Sequence, residues 1–175
     1  MFTENEIKEV KLQNHHSIGY YDYGKGKPVI MLHGFPDTAK TFRHQVHSFN
    51  QAGYRVICPY LPGYEYSSAP NNGLFVLYDL AKIISEFLDA LVPGEQAIII
   101  GHDWGASILR LLQKFHRNQQ TQYHLAGVIF SAVPLSQKSL DLLNLKLFPG
   151  FKQLYRSRNI LYFQLSLCCG NFCCR

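Results

Sequence analysis

Two short stretches carry residue types that can do chemistry together. The first is Gly101-His102-Asp103-Trp104-Gly105, a carboxylate flanked at two residues' distance on each side by glycine. The second is His33-Gly34-Phe35-Pro36. Ala97-Ile-Ile-Ile100 runs into the first stretch and reads as a central parallel strand covered on both faces. Ile108, Leu109, Leu111, Leu112 and Phe115 come after it at helical spacing. Asp103 therefore sits at a strand-to-helix corner. Gly101 and Gly105 leave the space that a tight elbow needs, because a side chain at either would meet the returning helix. The corner pushes the carboxylate into the open and sets the first N–H groups of the helix beside it, where the helix dipole favours an anion.

The aspartate decides the chemistry. A serine at such an apex suits acyl carbon, whereas a carboxylate attacking an ester would give a strained anhydride. A carboxylate can instead displace a leaving group at saturated carbon, giving an alkyl-enzyme ester that activated water hydrolyses. Epoxides and alkyl halides are the matching electrophiles.

The second stretch supplies what that ester would need. Val29-Ile-Met-Leu32 reads as a fully apolar strand, and Gly34 permits a kink after it from which the next N–H turns toward the elbow. The N–H groups of Phe35 and Trp104 would then form a two-donor oxyanion hole. His33, at the strand end, reads as a residue that holds the loop rather than as a base, and Pro36 closes the same loop.

The elements that position these residues are set by the pattern of the chain. Glu6 to Leu12 and His16 to Tyr23 read as an antiparallel pair of strands, with His15 and His16 solvated in the turn. A helix is expected over Ala39–Ala52 with His44 and His47 outward, a strand over Arg55–Pro59, and a loop over Tyr60–Pro70. The stretch Asn72–Leu91 repeats Leu80, Ile83, Ile84, Phe87, Leu88 and Leu91 at helical period, and Pro93-Gly94 ends it. A helix to about His116 comes after the elbow, then a strand over Leu125–Val133 closed by Pro134. This alternation predicts an α/β fold, a doubly wound and mostly parallel sheet with its site at the carboxyl ends of the strands.

Composition agrees. At 175 residues the chain has the length of one domain, and 47% hydrophobic residues suffice for a core. The net charge of +5 is scattered, so there is no nucleic-acid footprint. No apolar stretch is long enough to span a bilayer. The amino terminus lacks a basic start followed by an apolar run, which makes the cytoplasm the expected compartment. No cofactor or metal is implied. Four of the five cysteines, Cys168, Cys169, Cys173 and Cys174, crowd the last eight residues, but without the paired C-x2-C spacing of a zinc site.

His33-Gly-Phe-Pro36, Gly101-His-Asp-Trp-Gly-Ala106 and Leu61-Pro-Gly-Tyr64…Ser67-Ser-Ala-Pro70 together resemble the amino-terminal half of an α/β-hydrolase of the epoxide hydrolase group, over roughly residues 5 to 165. The resemblance implies Asp103 as nucleophile, the backbone of Phe35 and Trp104 as oxyanion hole, and a small epoxide or related electrophile as substrate. Haloalkane dehalogenases share the Asp-Trp elbow but typically carry asparagine where this chain has Phe35.

The chain also departs from that pattern. Glu65 stands where the family commonly has a second glycine, at a cost on the order of 1 kcal/mol if the backbone there is left-handed. The family mechanism needs a histidine base, its carboxylate partner and lid tyrosines, with base and acid beyond the lid. None of the eight histidines is placed to serve as base. Residues 1–134 read as core and 135–165 as the start of a helical lid. Residues 166–175 read as an aberrant cysteine-rich tail, of the kind that a shifted frame or premature stop produces. Three expectations result, in order: an epoxide hydrolase-type site that is inactive or reacts once without turning over, a non-enzymatic remnant that self-associates through an exposed sheet edge, and a haloalkane dehalogenase.

Overall fold

The computed structural model describes residues 2–13, 15–70 and 76–131, all within the first of two compact units, Met1–Pro134. The second unit, Leu135–Arg175, lies outside the described residues, and with it the expected lid and cysteine-rich tail.

Among the described residues six strands form one sheet: β1 (Lys8–Lys11), β2 (Ser17–Tyr23), β3 (Pro28–Leu32), β4 (Arg55–Pro59), β5 (Gln96–His102) and β6 (His124–Ser131). Their spatial order is β1-β2-β4-β3-β5-β6. The first two pairings, β1 with β2 and β2 with β4, are antiparallel, and the rest are parallel. Three helices connect the parallel strands: α1 (Arg43–Gln51), α2 (Leu77–Leu91) and α3 (Trp104–Arg117). The helix expected from Ala39 starts as a 3-10 turn, Ala39–Phe42, before α1.

Alternation along the strands sorts two cores. Ile30, Leu32, Ile57 and Ile99 face α2 and α3, where Leu80, Ile84, Phe87, Leu88, Ile108, Leu109 and Leu112 meet them. Tyr21, Val29, Met31, Val56 and Cys58 face the other way, onto Ala39, Phe42 and Val46. The helical stripe read from Leu80 to Leu91 is thus core, with Leu91 at its partly exposed margin. His44 and His47 are exposed on α1, as expected.

Three expectations need correction. β5 is not covered on both faces: Ala97 and Ile99 are fully buried, but Ile98 and Ile100 are only partly so. Among the described residues α1 packs beneath β4, leaving β5 less shielded on that face. His16 is buried rather than solvated, because the turn folds onto the loop after β4, where the imidazole Nδ1 lies 3.3 Å from Ser68 Oγ. Glu65 carries no left-handed backbone; the positive φ of that loop, +87°, falls on Gly63. Gly63 N–H donates to Ser68 O and Ser67 N–H to Tyr64 O, so the loop is tightly turned with the Glu65 side chain in solvent.

The topology fixes where a site can form. From β3 the chain moves outward through α1 to β4, then crosses back through α2 to β5 on the opposite side of β3. The connections diverge between β3 and β5, and that is the switch point at which open α/β sheets bind ligands.

Candidate active site

β3 and β5 are parallel neighbours, with Leu32 level with Gly101. The segments leaving the two strand ends therefore emerge side by side: His33-Gly34-Phe35 from β3, Asp103 from β5. The N–H of Phe35 donates to Asp103 Oδ2 at 3.1 Å. Trp104 opens α3, so its N–H is one of the first-turn donors that helix geometry leaves without an intrahelical acceptor. The Asp103 carboxylate is half-buried and Phe35 is exposed.

The elbow is strained where chemistry would use it. Asp103 has φ +50° and ψ −110°, a backbone conformation that non-glycine residues seldom adopt, with a cost on the order of 1–3 kcal/mol. Its surroundings hold it there. Asp103 N–H donates to Ser131 O on β6, and Asp103 O accepts from Ala106 and Ser107 in the first turn of α3.

The glycines are steric requirements. A Cβ on Gly34 would lie 2.5 Å from Asp103 Cβ and 2.7 Å from its Oδ2. One on Gly101 would lie 2.6 Å from Gly105 O, and one on Gly105 would run into the backbone of Leu32. The helix returns against β5 and β3 so closely that no side chain fits between.

His33 is fully buried and its two ring nitrogens are both engaged. Nε2 accepts from Leu61 N–H at 3.0 Å, which makes Nδ1 the protonated nitrogen, and Nδ1 donates to Gly34 O at 2.9 Å. Burial pushes its pKa down to about 4, against the hydrogen bond to Gly34, which favours the charged form. It ties the end of β3 to the loop after β4 and has no lone pair left for a base. Pro36 succeeds a cis Phe35-Pro36 peptide bond in the same loop.

His102 turns to Ser131, with Nδ1 3.4 Å from Oγ. His116 and His124 stand together at the other end of β6, ring centroids 6.3 Å apart. His15, His44 and His47 are exposed elsewhere. Among the described residues no group of three or more metal-ligating side chains forms, and no helix is long and apolar enough to cross a membrane.

Sequence reading misses Tyr64. Its ring stands edge-on to His33 with centroids 4.6 Å apart, and its hydroxyl donates to Gly34 O at 3.3 Å. Burial, reinforced by the negative charges of Asp103 and Asp37, pushes this phenol up to about 12. The available signal is the tyrosine inside Leu61-Pro-Gly-Tyr64, a motif to which sequence alone attaches no role.

A carboxylate on a strand-to-helix elbow at the switch point of a mostly parallel sheet points to the class, and comparison with known proteins agrees. The family model of the alpha/beta hydrolase fold matches residues 27–167, and the chain belongs to that family. Within it the chain is epoxide hydrolase-like. It is 40% identical over 92 residues to an epoxide hydrolase of Caballeronia sordidicola, which is 52% of this chain and 28% of that one. With epoxide hydrolase A of Mycobacterium tuberculosis the identity is 34% over 115 residues, 64% of this chain and 34% of the relative. Among solved structures, an epoxide hydrolase from Vigna radiata superposes with a TM-score of 0.62 at 30% identity, covering 78% of this chain and 44% of that one. Epoxide hydrolase A from Mycobacterium thermoresistibile gives a TM-score of 0.65 at 27% identity, covering 79% and 44%. The chain thus spans about a third of the length of these curated relatives and under half of these solved chains.

Proposed function

We propose that Asp103 is the nucleophile of an epoxide hydrolase-type reaction. The observation that carries this reading is the carboxylate at the apex of a strained elbow, with one oxygen accepting the Phe35 N–H. Oδ2 is held there, which leaves Oδ1 to attack an epoxide carbon. The new C–O bond forms as the ring C–O bond breaks, and the released alkoxide takes a proton to become the alcohol of a hydroxyalkyl ester. Oδ2 is then the ester carbonyl oxygen. Water adding to the carbonyl carbon turns it into an oxyanion facing the N–H groups of Phe35 and Trp104, and collapse releases the diol and restores the carboxylate.

The residues of this chain supply the first step better than the second. Activating water calls for a base near the ester, and none of the eight histidines is placed to be one. The ester on Asp103 accumulates.

Intact mass after incubation with a reactive aryl epoxide tests this. A gain of one epoxide mass, absent in Asp103→Asn, is expected. Diol without adduct would place a base in the chain after all, and neither adduct nor diol would remove the nucleophile assignment.

A second reading rests on Ile129, which is 50% exposed on β6, the edge strand of the sheet among the described residues, with neither lysine, aspartate, glutamate nor proline to discourage edge pairing. We propose that this strand supports self-association. Sedimentation velocity of the native chain and of Ile129→Lys tests it, with a fall toward monomer expected in the variant.

A further inference from the structure

We propose that Tyr64 is a positioning residue that aims the Phe35 N–H at Asp103 by holding the carbonyl of Gly34. This inference rests on the assignment of the Phe35 N–H as an oxyanion donor. Gly34 C=O and Phe35 N–H belong to one peptide unit, and in a planar trans peptide they point in opposite directions. Anchoring the carbonyl therefore fixes the direction of the N–H.

Two donors anchor it from the side away from Asp103. His33 Nδ1–H reaches Gly34 O at 2.9 Å and the Tyr64 hydroxyl reaches it at 3.3 Å. On the opposite side the N–H meets Asp103 Oδ2 at 3.1 Å. A carbonyl needs one donor to be satisfied when buried; a second restricts its rotation and draws electron density from the amide, which strengthens the N–H as a donor. Without the brace the peptide could rotate and withdraw its N–H, because Gly34 has no side chain to resist and Phe35 is exposed.

The brace is itself held. Leu61 N–H fixes the His33 ring, and Tyr64 stacks edge-on against that ring at 4.6 Å. Tyr64 N–H donates to Leu61 O, so the two residues that support the carbonyl are tied to the same turn. The loop after β4 thereby sets the geometry of a donor that comes from the end of β3.

Tyr64→Phe removes the hydroxyl and keeps the ring on His33. In the 15N–1H spectrum of the full chain, the Phe35 amide nitrogen should shift upfield in Tyr64→Phe and downfield when 3-fluorotyrosine, a stronger donor, replaces Tyr64. Tyr66→Phe, in the same loop, should leave it in place. A Phe35 resonance unchanged in Tyr64→Phe, or moved equally by Tyr66→Phe, would overturn the assignment, and the fluorotyrosine protein gives the answer if Tyr64→Phe does not fold. These readouts need no reaction. With an aryl epoxide, Tyr64→Phe should form the Asp103 adduct at least threefold more slowly. Absence of adduct in the native chain would defeat the nucleophile reading, whereas the amide shifts still decide the brace.

Discussion

The backbone N–H of Phe35 donates to Asp103 Oδ2 at 3.1 Å, joining residues 68 positions apart across the carboxyl ends of two parallel strands. That contact exists because Gly34 has no side chain. In Gly34→Ala the added carbon would sit 2.5 Å from Asp103 Cβ, so either the kink or the elbow must shift. Overpacking of this kind costs roughly 1–3 kcal/mol. Urea unfolding should register that loss, and adduct formation with an aryl epoxide should fall at least tenfold, beyond what unfolding explains, because the donor and the carboxylate are the groups displaced.

Gly105→Ala should be worse for stability than Gly34→Ala. Its new carbon meets the main chain of Leu32 and His33 rather than a side chain, and main chain in the sheet cannot step aside. Gly101→Ala meets Gly105 and Ala106 in the same way. Either variant should lose more than about 3 kcal/mol or fail to accumulate as folded protein. Circular dichroism with urea titration measures it, and a change under about 1 kcal/mol would contradict the packing.

Stability should also fall with acid between pH 6.5 and about 4 through His33. Its folded pKa is lowered from the ordinary 6.5 to about 4, so over that range the unfolded chain binds a proton that the folded chain refuses. The contribution is complete above pH 6.5 and shrinks as pH falls, by on the order of 3 kcal/mol once both states are protonated. His33→Gln should be less stable at pH 7.5, since it loses the bond from Leu61 or that to Gly34, yet its stability should change less across this range. Chemical denaturation at half-unit pH steps tests both points.

Much of this was legible before the structure. Parallel-strand runs and helical periods gave β3, β4, the elbow and α3 close to their observed bounds, and the end of α2 at Leu91, since each is a local pattern with a local terminator; α2 itself begins at Leu77 rather than near Asn72. The pairing of His33-Gly34-Phe35 with Asp103 was legible as well, because adjacent strand ends at a switch point must meet. What sequence could not deliver depends on contacts between distant segments. His16 looks like a turn residue until the loop at Ser68 closes over it. Glu65 looks strained only if the left-handed residue is assumed to fall there, and the chain places it at Gly63 instead. Tyr64 acquires a role only through His33 and Gly34, about thirty residues earlier in the chain and on another strand end. The partial cover of β5 likewise depends on how far α1 extends beneath the sheet.

A separate acid transition should come from Asp22, at the antiparallel side of the sheet. Its carboxylate receives Arg55 Nε at 2.9 Å and Nη2 at 3.2 Å, and Lys8 Nζ at 2.9 Å, tying β1, β2 and β4 together. Burial alone would raise its pKa; the hydrogen bonds from Arg55 and Lys8 outweigh it and hold the carboxyl below the ordinary 3.8. A depressed folded pKa means stability that is present above pH 3.8 and lost as pH falls through the folded value, below the range in which His33 acts. The two cations differ in weight. Arg55 makes a two-nitrogen fork at 24% side-chain exposure, whereas Lys8 is 54% exposed. Lys8→Ala should therefore cost under about 1 kcal/mol, and Asp22→Asn about 1–3 kcal/mol because it leaves the Arg55 fork without its charge partner. Urea unfolding at pH 7 ranks the two, and repeating it from pH 4 to 2 should show the Asp22→Asn penalty disappearing as the native carboxyl protonates. A penalty that persists undiminished at pH 2 would mean that Asp22 acts through shape rather than charge.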